Sequence, residues 1–242
     1  MPGVRAGYSL RHGGVSLAPH DSFNLGIHVG DDPARVQANR EKLAQTLGVR
    51  PVFLNQVHGT QVDRLPCPDG TSADAIYTEQ TGWACTIMVA DCLPILISDD
   101  RGRWVAAAHA GWRGLCGDSA GTGVVENLFK HLHRQLPHAH WLAWLGPCIG
   151  PRAFEVGADV RQAFVRADAA ASRHFAPIGE RPGKWWCDLP GLARDRLRAQ
   201  GVDRIWGNEG SQDWCTHSRP DVFFSHRRDG VSGRMAAAVF LV

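Results

Sequence analysis

The sequence predicts an α+β fold, a single domain of layered mixed β-sheets flanked by helices. Three observations lead there. Short apolar runs bounded by turn residues alternate with capped helical patterns, the C-terminal stretch places two apolar runs around Asp229-Gly230, and no linker-like Pro/Gly/Ser segment or internal repeat divides the chain. An antiparallel hairpin is foreign to a purely parallel α/β sheet, so mixed sheets are expected. A length of 242 residues suits one domain over 1–242.

Taken in order, "DDPARVQANREKLAQTLGV" opens with Asp and Pro, carries Val36, Leu43 and Leu47 at helical spacing and closes on Gly48, which predicts a capped helix. "VFLNQVHG" is a short apolar run with polar residues at its end, a strand expected to carry His58 at its tip. "GWACTIMVADCLPILISDDRGRWVAAAHAGW" divides into apolar strands with a turn at "DDRG". Pro94 argues against a helix through Cys92, so Cys92 and His109 are expected near neighbouring strands. "TGVVENLFKHLHRQL" and "LPGLARDRLRAQGV" predict helices, and "HWLAWLGPCIG" a buried strand breaking into a Gly/Pro turn. "DVFFSHRRDGVSGRMAAAVFLV" predicts two strands joined by a hairpin at Asp229-Gly230.

Composition narrows the function. A formal charge of +2, with 26 scattered Lys and Arg, predicts neither a nucleic-acid nor a membrane partner. No stretch is long and apolar enough to span a bilayer, and "MPGVRAGYSLRHGG" lacks the pattern of a secretory signal, so a cytoplasmic location is expected. Seven cysteines without a C-x-x-C pair argue against a disulfide framework or a zinc ribbon.

His58, Cys92 and His109 each stand where an apolar run gives way to a turn. Two imidazoles and a thiolate suit zinc, and three protein ligands leave the fourth tetrahedral position open, as in catalytic sites. Zinc there can acidify a bound water and polarise a substrate atom. Spacing alone is a weak signal, because a core thiol and backbone-satisfied histidines explain the same pattern. Arg113, in "HAGWRG", stands between Gly111 and Gly114, which would let the backbone turn tightly, and can grip an anion in a bidentate fork. Arg11 and Arg227 offer the same chemistry, although a lone Arg commonly makes a surface ion pair. Cys148 is a candidate nucleophile without an evident activating base, and Glu155 is a proton shuttle or a strand-end charge. "GDSAGTG" lacks the Lys-Ser/Thr ending of a phosphate loop, and the H-x-E with P-C-x-x-C signature of zinc deaminases is absent.

Together "QVHGT", "ADCLPILI", "HAGWRG", "GPCIG", "FEVG" and "FFSHRRDG…GR" resemble the laccase-domain family, with a likeness running from "SLRHGGVS" to the C-terminal strand. The resemblance implies a single α+β catalytic domain with zinc held by His58, Cys92 and His109. It implies phosphorolysis of adenosine, inosine and methylthioadenosine, and deamination of adenosine, so the expected partners are a purine nucleoside and phosphate. On this reading Cys92, Arg113 and Glu155 are the catalytic residues, with Arg113 first in line for phosphate. Arg11, Asn24 and Arg227 are the substrate-binding residues; Asn24 and Glu155 are expected to orient sugar or base. Phe154 and His226 stand where the family often has Tyr.

The resemblance carries rivals with it. A hydrolase that edits wrongly charged UDP-muramoyl amino acid would suit the same zinc and arginines. A copper-dependent polyphenol oxidase would need several coppers and multiple His-x-His pairs. Only His131-x-His133 and His138-x-His140 have that form, the first on an expected helix, so copper ranks below zinc. A structural metal module has no need of an open coordination position.

Overall fold

Ile95, Leu96 and Ile97 are buried on both faces of their strand, which places that strand at the centre of a layered molecule. The computed structural model describes residues 3–242. In chain order the first half contains β1 (Val4–Tyr8), α1 (Pro33–Leu47), β2 (Arg50–Phe53), β3 (Val62–Arg64), β4 (Ala75–Thr78), β5 (Trp83–Val89), β6 (Leu93–Asp99) and β7 (Val105–Ala110). The second half adds α2 (Trp112–Cys116), α3 (Val124–Gln135), β8 (Trp141–Leu145), β9 (Glu155–Gly157), α4 (Ala158–Ala167), β10 (Phe175–Pro177) and β11 (Lys184–Cys187). It closes with α5 (Leu189–Ala199), β12 (Arg204–Gly207), α6 (His226–Asp229) and β13 (Met235–Leu241).

The strands form a four-stranded sheet, β1-β13-β5-β2, a six-stranded sheet, β12-β8-β6-β7-β4-β3, and a small sheet, β10-β11-β9. Both large sheets are mixed: β2 pairs β5 and β3 pairs β4 in parallel, while β5–β13 and β6–β7 are antiparallel. This is the expected fold class, mixed sheets flanked by helices.

The period-2 alternation of strand side chains divides the core. Leu93, Ile95 and Ile97 of β6, with Ala106 and Ala108 of β7, face Val124, Val125, Leu128 and Phe129 of α3. Leu96, Val105 and Ala107 face the other way, against Ile87, Val89, Ala237 and Val239 of the four-stranded sheet. Each fully buried Leu, Ile or Phe contributes about 1.5–3 kcal/mol relative to an exposed one. His109 shares parity with Val105 and Ala107, so it belongs to the face between the two large sheets, at the strand's end.

The expected first helix is present. Asp32 caps α1 by accepting from the Ala34 N–H, and Gly48 closes it with φ 71°. The C-terminal hairpin is not formed. Residues 226–229 turn into the short helix α6, because their backbone N–H groups are taken by side chains: Ser225 Oγ accepts from Arg228 and Asp91 Oδ2 from Arg227. β13 instead finds its partners in β1 and β5. Among the described residues no helix is long and apolar enough to cross a membrane.

Candidate metal centre and its pocket

Three separate segments meet at one point. His58 lies in the loop after β2, five residues beyond the strand's end rather than at its tip, with φ 59°. Cys92 ends the tight turn from β5 into β6, and His109 is in β7. The β6–β7 register pairs Leu93 with Ala110 and Pro94 with His109, which sets Cys92 beside the end of β7. The ligand atoms of His58, Cys92 and His109 all lie within 4.8 Å of one another. The two imidazole rings meet edge to face, with centroids 4.8 Å apart.

Glycine makes room for this approach. A Cβ on Gly111 would stand 2.9 Å from Cys92 Sγ and 3.1 Å from His58 Cδ2, and one on Gly114 2.6 Å from the Gly59 carbonyl. Gly111 and Gly114 therefore serve close contact rather than a turn around Arg113, which sits in α2.

Asp74, fully buried just before β4, holds the centre together. Its Oδ1 accepts from His109 Nδ1 at 2.8 Å and the His58 backbone N–H at 3.0 Å, while Oδ2 accepts from Gly59 and Val57. Burial favours the neutral carboxyl, but these hydrogen bonds, His109's foremost, hold Asp74 below the usual carboxylate range. With Nδ1 engaged, Nε2 is the nitrogen that His109 has free for the cluster. Burial likewise pushes the Cys92 thiol up, yet the charge and hydrogen bond of His109, with those of His58, bring it down. His109 moves the opposite way: burial lowers it, and Cys92 and Asp74 more than compensate. A thiol lowered in this way is readily a thiolate, the form that binds metal. One thiolate and two imidazoles, one of them oriented by a carboxylate, fit a divalent ion with bonds of about 2.0–2.3 Å once the side chains close on it.

The cluster forms part of the wall of a cavity of about 410 Å³, within the usual range for small-molecule sites. Arg113, Arg227 and Arg234 line the same cavity, with His28, Gln56 and Phe154. Among the described residues Asp91 is its one carboxylate, and both of its oxygens are engaged, by Thr216 and the Arg227 backbone. The pocket is therefore cationic. Arg113 is exposed, with its guanidinium 4.6 Å from the Trp112 ring centre. Arg227 donates to the Glu155 carbonyl at 2.9 Å and lies over Phe154. Arg234 is more enclosed; among the described residues it makes no ion pair, and its Nη1 donates only to Ser232 and the Gly233 carbonyl. Burial pushes its pKa down, which Cys92 and Asp91 partly offset. His28 is lowered as well, by burial first and then by Arg234 and Arg40.

Three of the expected residues do not line this cavity. Arg11 spends its guanidinium on the carbonyls of Pro220 and Asp21. Asn24 is fully buried, donating to Asp31 and the Gly26 carbonyl and accepting from the Gly26 and Arg234 N–H groups. The Glu155 carboxylate pairs with Arg181 and Lys184. Cys148 is buried, its thiol raised well above the usual value by burial and by Cys215, so it is no ready nucleophile. His131 and His133 pack against Tyr77 and Phe129, and among the described residues His58, Cys92 and His109 form the one group able to hold a metal. Asp74, Arg234, His28 and Gln56 escaped the sequence reading. Arg234 was legible in the "GR" that ends the last motif and Gln56 in "NQVHG", whereas Asp74 carries no local signal. Gln56 bonds both the N–H and the carbonyl of Met88 at 2.7 Å, stitching the His58 loop to β5.

The family described as multi-copper polyphenol oxidoreductase laccase matches residues 5–242. Purine nucleoside phosphorylase YfiH of Escherichia coli is 47% identical, across 99% of this chain and 95% of its own. Purine nucleoside phosphorylase PA4543 of Pseudomonas aeruginosa is 48% identical, across 98% and 93%. The crystal structure of Neisseria meningitidis protein NMB0706 superposes with a TM-score of 0.88 at 42% identity, covering 99% of this chain and 94% of that one.

Proposed function

Because the chain belongs to the multi-copper polyphenol oxidoreductase laccase family, whose relatives here are named for phosphorolysis, we propose that it is a metal-dependent purine nucleoside phosphorylase. Its substrates are adenosine, inosine and methylthioadenosine, and its partner substrate is inorganic phosphate. The observation that carries this reading is Arg234: an enclosed guanidinium without a carboxylate partner among the described residues, in the same cavity as His58, Cys92 and His109. A cation held there attracts an anion more strongly than one in open water, and its planar fork matches phosphate oxygens.

In phosphorolysis a phosphate oxygen bonds to the ribose C1′ while the bond from C1′ to the purine nitrogen breaks, its electron pair leaving with the base. Arg234 and Arg227 hold the phosphate, and Arg113 closes over it from the exposed side. Arg227 is steadied for this by the Glu155 carbonyl and the Phe154 ring. Positive charge fixed in advance lowers the cost of bringing a dianion to the sugar. His28, its pKa lowered by burial first and then by its cationic neighbours Arg234 and Arg40, lines the same cavity as a further hydrogen-bonding group. Zinc at His58, Cys92 and His109 would supply Lewis-acid polarisation of a substrate atom when bound. The same centre supports a second activity, deamination of adenosine, for which no phosphate is needed.

Incubation of the purified protein with adenosine, with and without phosphate, followed by chromatography, tests both. Adenine and ribose 1-phosphate formed only with phosphate support phosphorolysis, and phosphate-independent inosine supports deamination. If neither forms, while a UDP-muramoyl amino acid is hydrolysed or oxygen is consumed by a copper-loaded protein, the reading is wrong.

A further inference from the structure

Asp91 is a non-glycine residue at φ 93°, in the turn between β5 and β6, where glycine would meet the backbone demand without strain. What the aspartate adds is a carboxylate. Its Oδ1 accepts from Thr216 Oγ1 and its Oδ2 from the Arg227 backbone N–H, both at 2.6 Å, while its carbonyl accepts from the Ile149 N–H at 2.9 Å. One residue thus fastens three remote segments to the turn that carries Cys92. The Arg227 side chain, by contrast, has among the described residues a single backbone carbonyl and a ring face to hold it. We infer that Asp91 is a positioning residue: through the Arg227 backbone it sets that guanidinium relative to Cys92, and thereby fixes the phosphate end of the pocket. The inference rests on the phosphorolysis reading.

A double-mutant cycle tests it, because residues that act through one another are not additive. Asp91→Ala raises the KM for phosphate about tenfold, the loss expected for one charge-assisted hydrogen bond, with the KM for nucleoside and the metal content unchanged. In an Arg227→Ala background the same substitution adds nothing. Asp91→Asn restores the phosphate KM, since its amide can accept from Arg227 and donate to Thr216. Should Asp91→Ala fail to fold, Thr216→Val removes one of the two anchors and shifts the phosphate KM in the same direction by less. Additive effects in the two backgrounds, or equal changes in both KM values, overturn the inference and leave phosphorolysis standing. A wild-type protein that neither binds nor consumes phosphate overturns both.

Discussion

Asp74 and His109 meet twice: the His109 Nδ1 lies 2.8 Å from the Asp74 carboxylate, and the His109 backbone N–H donates to the Asp74 carbonyl at 2.7 Å. The ring of one histidine of the candidate metal centre and the strand that carries it are thus fixed by a single buried residue. The same carboxylate gathers the backbone of the His58 loop, so both imidazoles depend on it.

Replacing that carboxylate weakens the centre before it weakens the fold. Asp74→Asn keeps an acceptor for some of the N–H groups but loses the charge that orients His109. Metal affinity falls about 10–100-fold, as is usual for such supporting partners. Competition with a chelator measures it, and an unchanged affinity refutes the role.

Enclosure separates the arginines. Arg234→Ala removes a partly buried cation and raises the phosphate KM by about a hundredfold, whereas exposed, solvent-screened Arg113→Ala raises it about threefold to tenfold. Steady-state kinetics at fixed nucleoside concentration gives both numbers. The reverse order would move the anion site to α2.

The bare wall beside the cluster is a steric requirement. Gly111→Ala places a methyl 2.9 Å from Cys92 Sγ, inside contact distance, so the variant binds less than a full equivalent of metal while its Tm without metal changes little. Elemental analysis alongside thermal melts separates this from general unfolding.

His174 makes stability depend on pH at a distance from the pocket. It stands between Asp195 and Asp188, and although burial lowers its pKa, their hydrogen bonds and charge raise it above the ordinary histidine value. A folded pKa above the unfolded one stabilises fully below about pH 6.5 and is lost as pH rises through the folded value. The Tm gap between wild type and His174→Gln is therefore wide at about pH 6 and narrow at about pH 9. A gap that widens with pH contradicts the assignment.

Helix α1, the buried strands β5 to β7 and the fold class were legible in the chain because capping, side-chain period and turn chemistry act within a few residues. Asp32 and Gly48 end α1 with bonds to their own neighbours, whatever the rest of the molecule does. The three candidate ligands were visible as residue types standing where apolar runs give way to turns, and the motifs around them marked them out. Their convergence could not be read locally, since it depends on the β6–β7 register, on Gly111 standing clear and on Asp74 from a different strand. Arg11, Asn24 and Glu155 show the same limit from the other side. Each has the right chemistry for a substrate, but folding brings it carbonyls or counter-ions first, and a polar group already satisfied has little left to offer a ligand. The lost hairpin has the same cause. A carboxylate 136 positions away in sequence captures the Arg227 N–H, and a long-range bond of that kind outweighs the local preference of Asp229-Gly230 for a turn between strands.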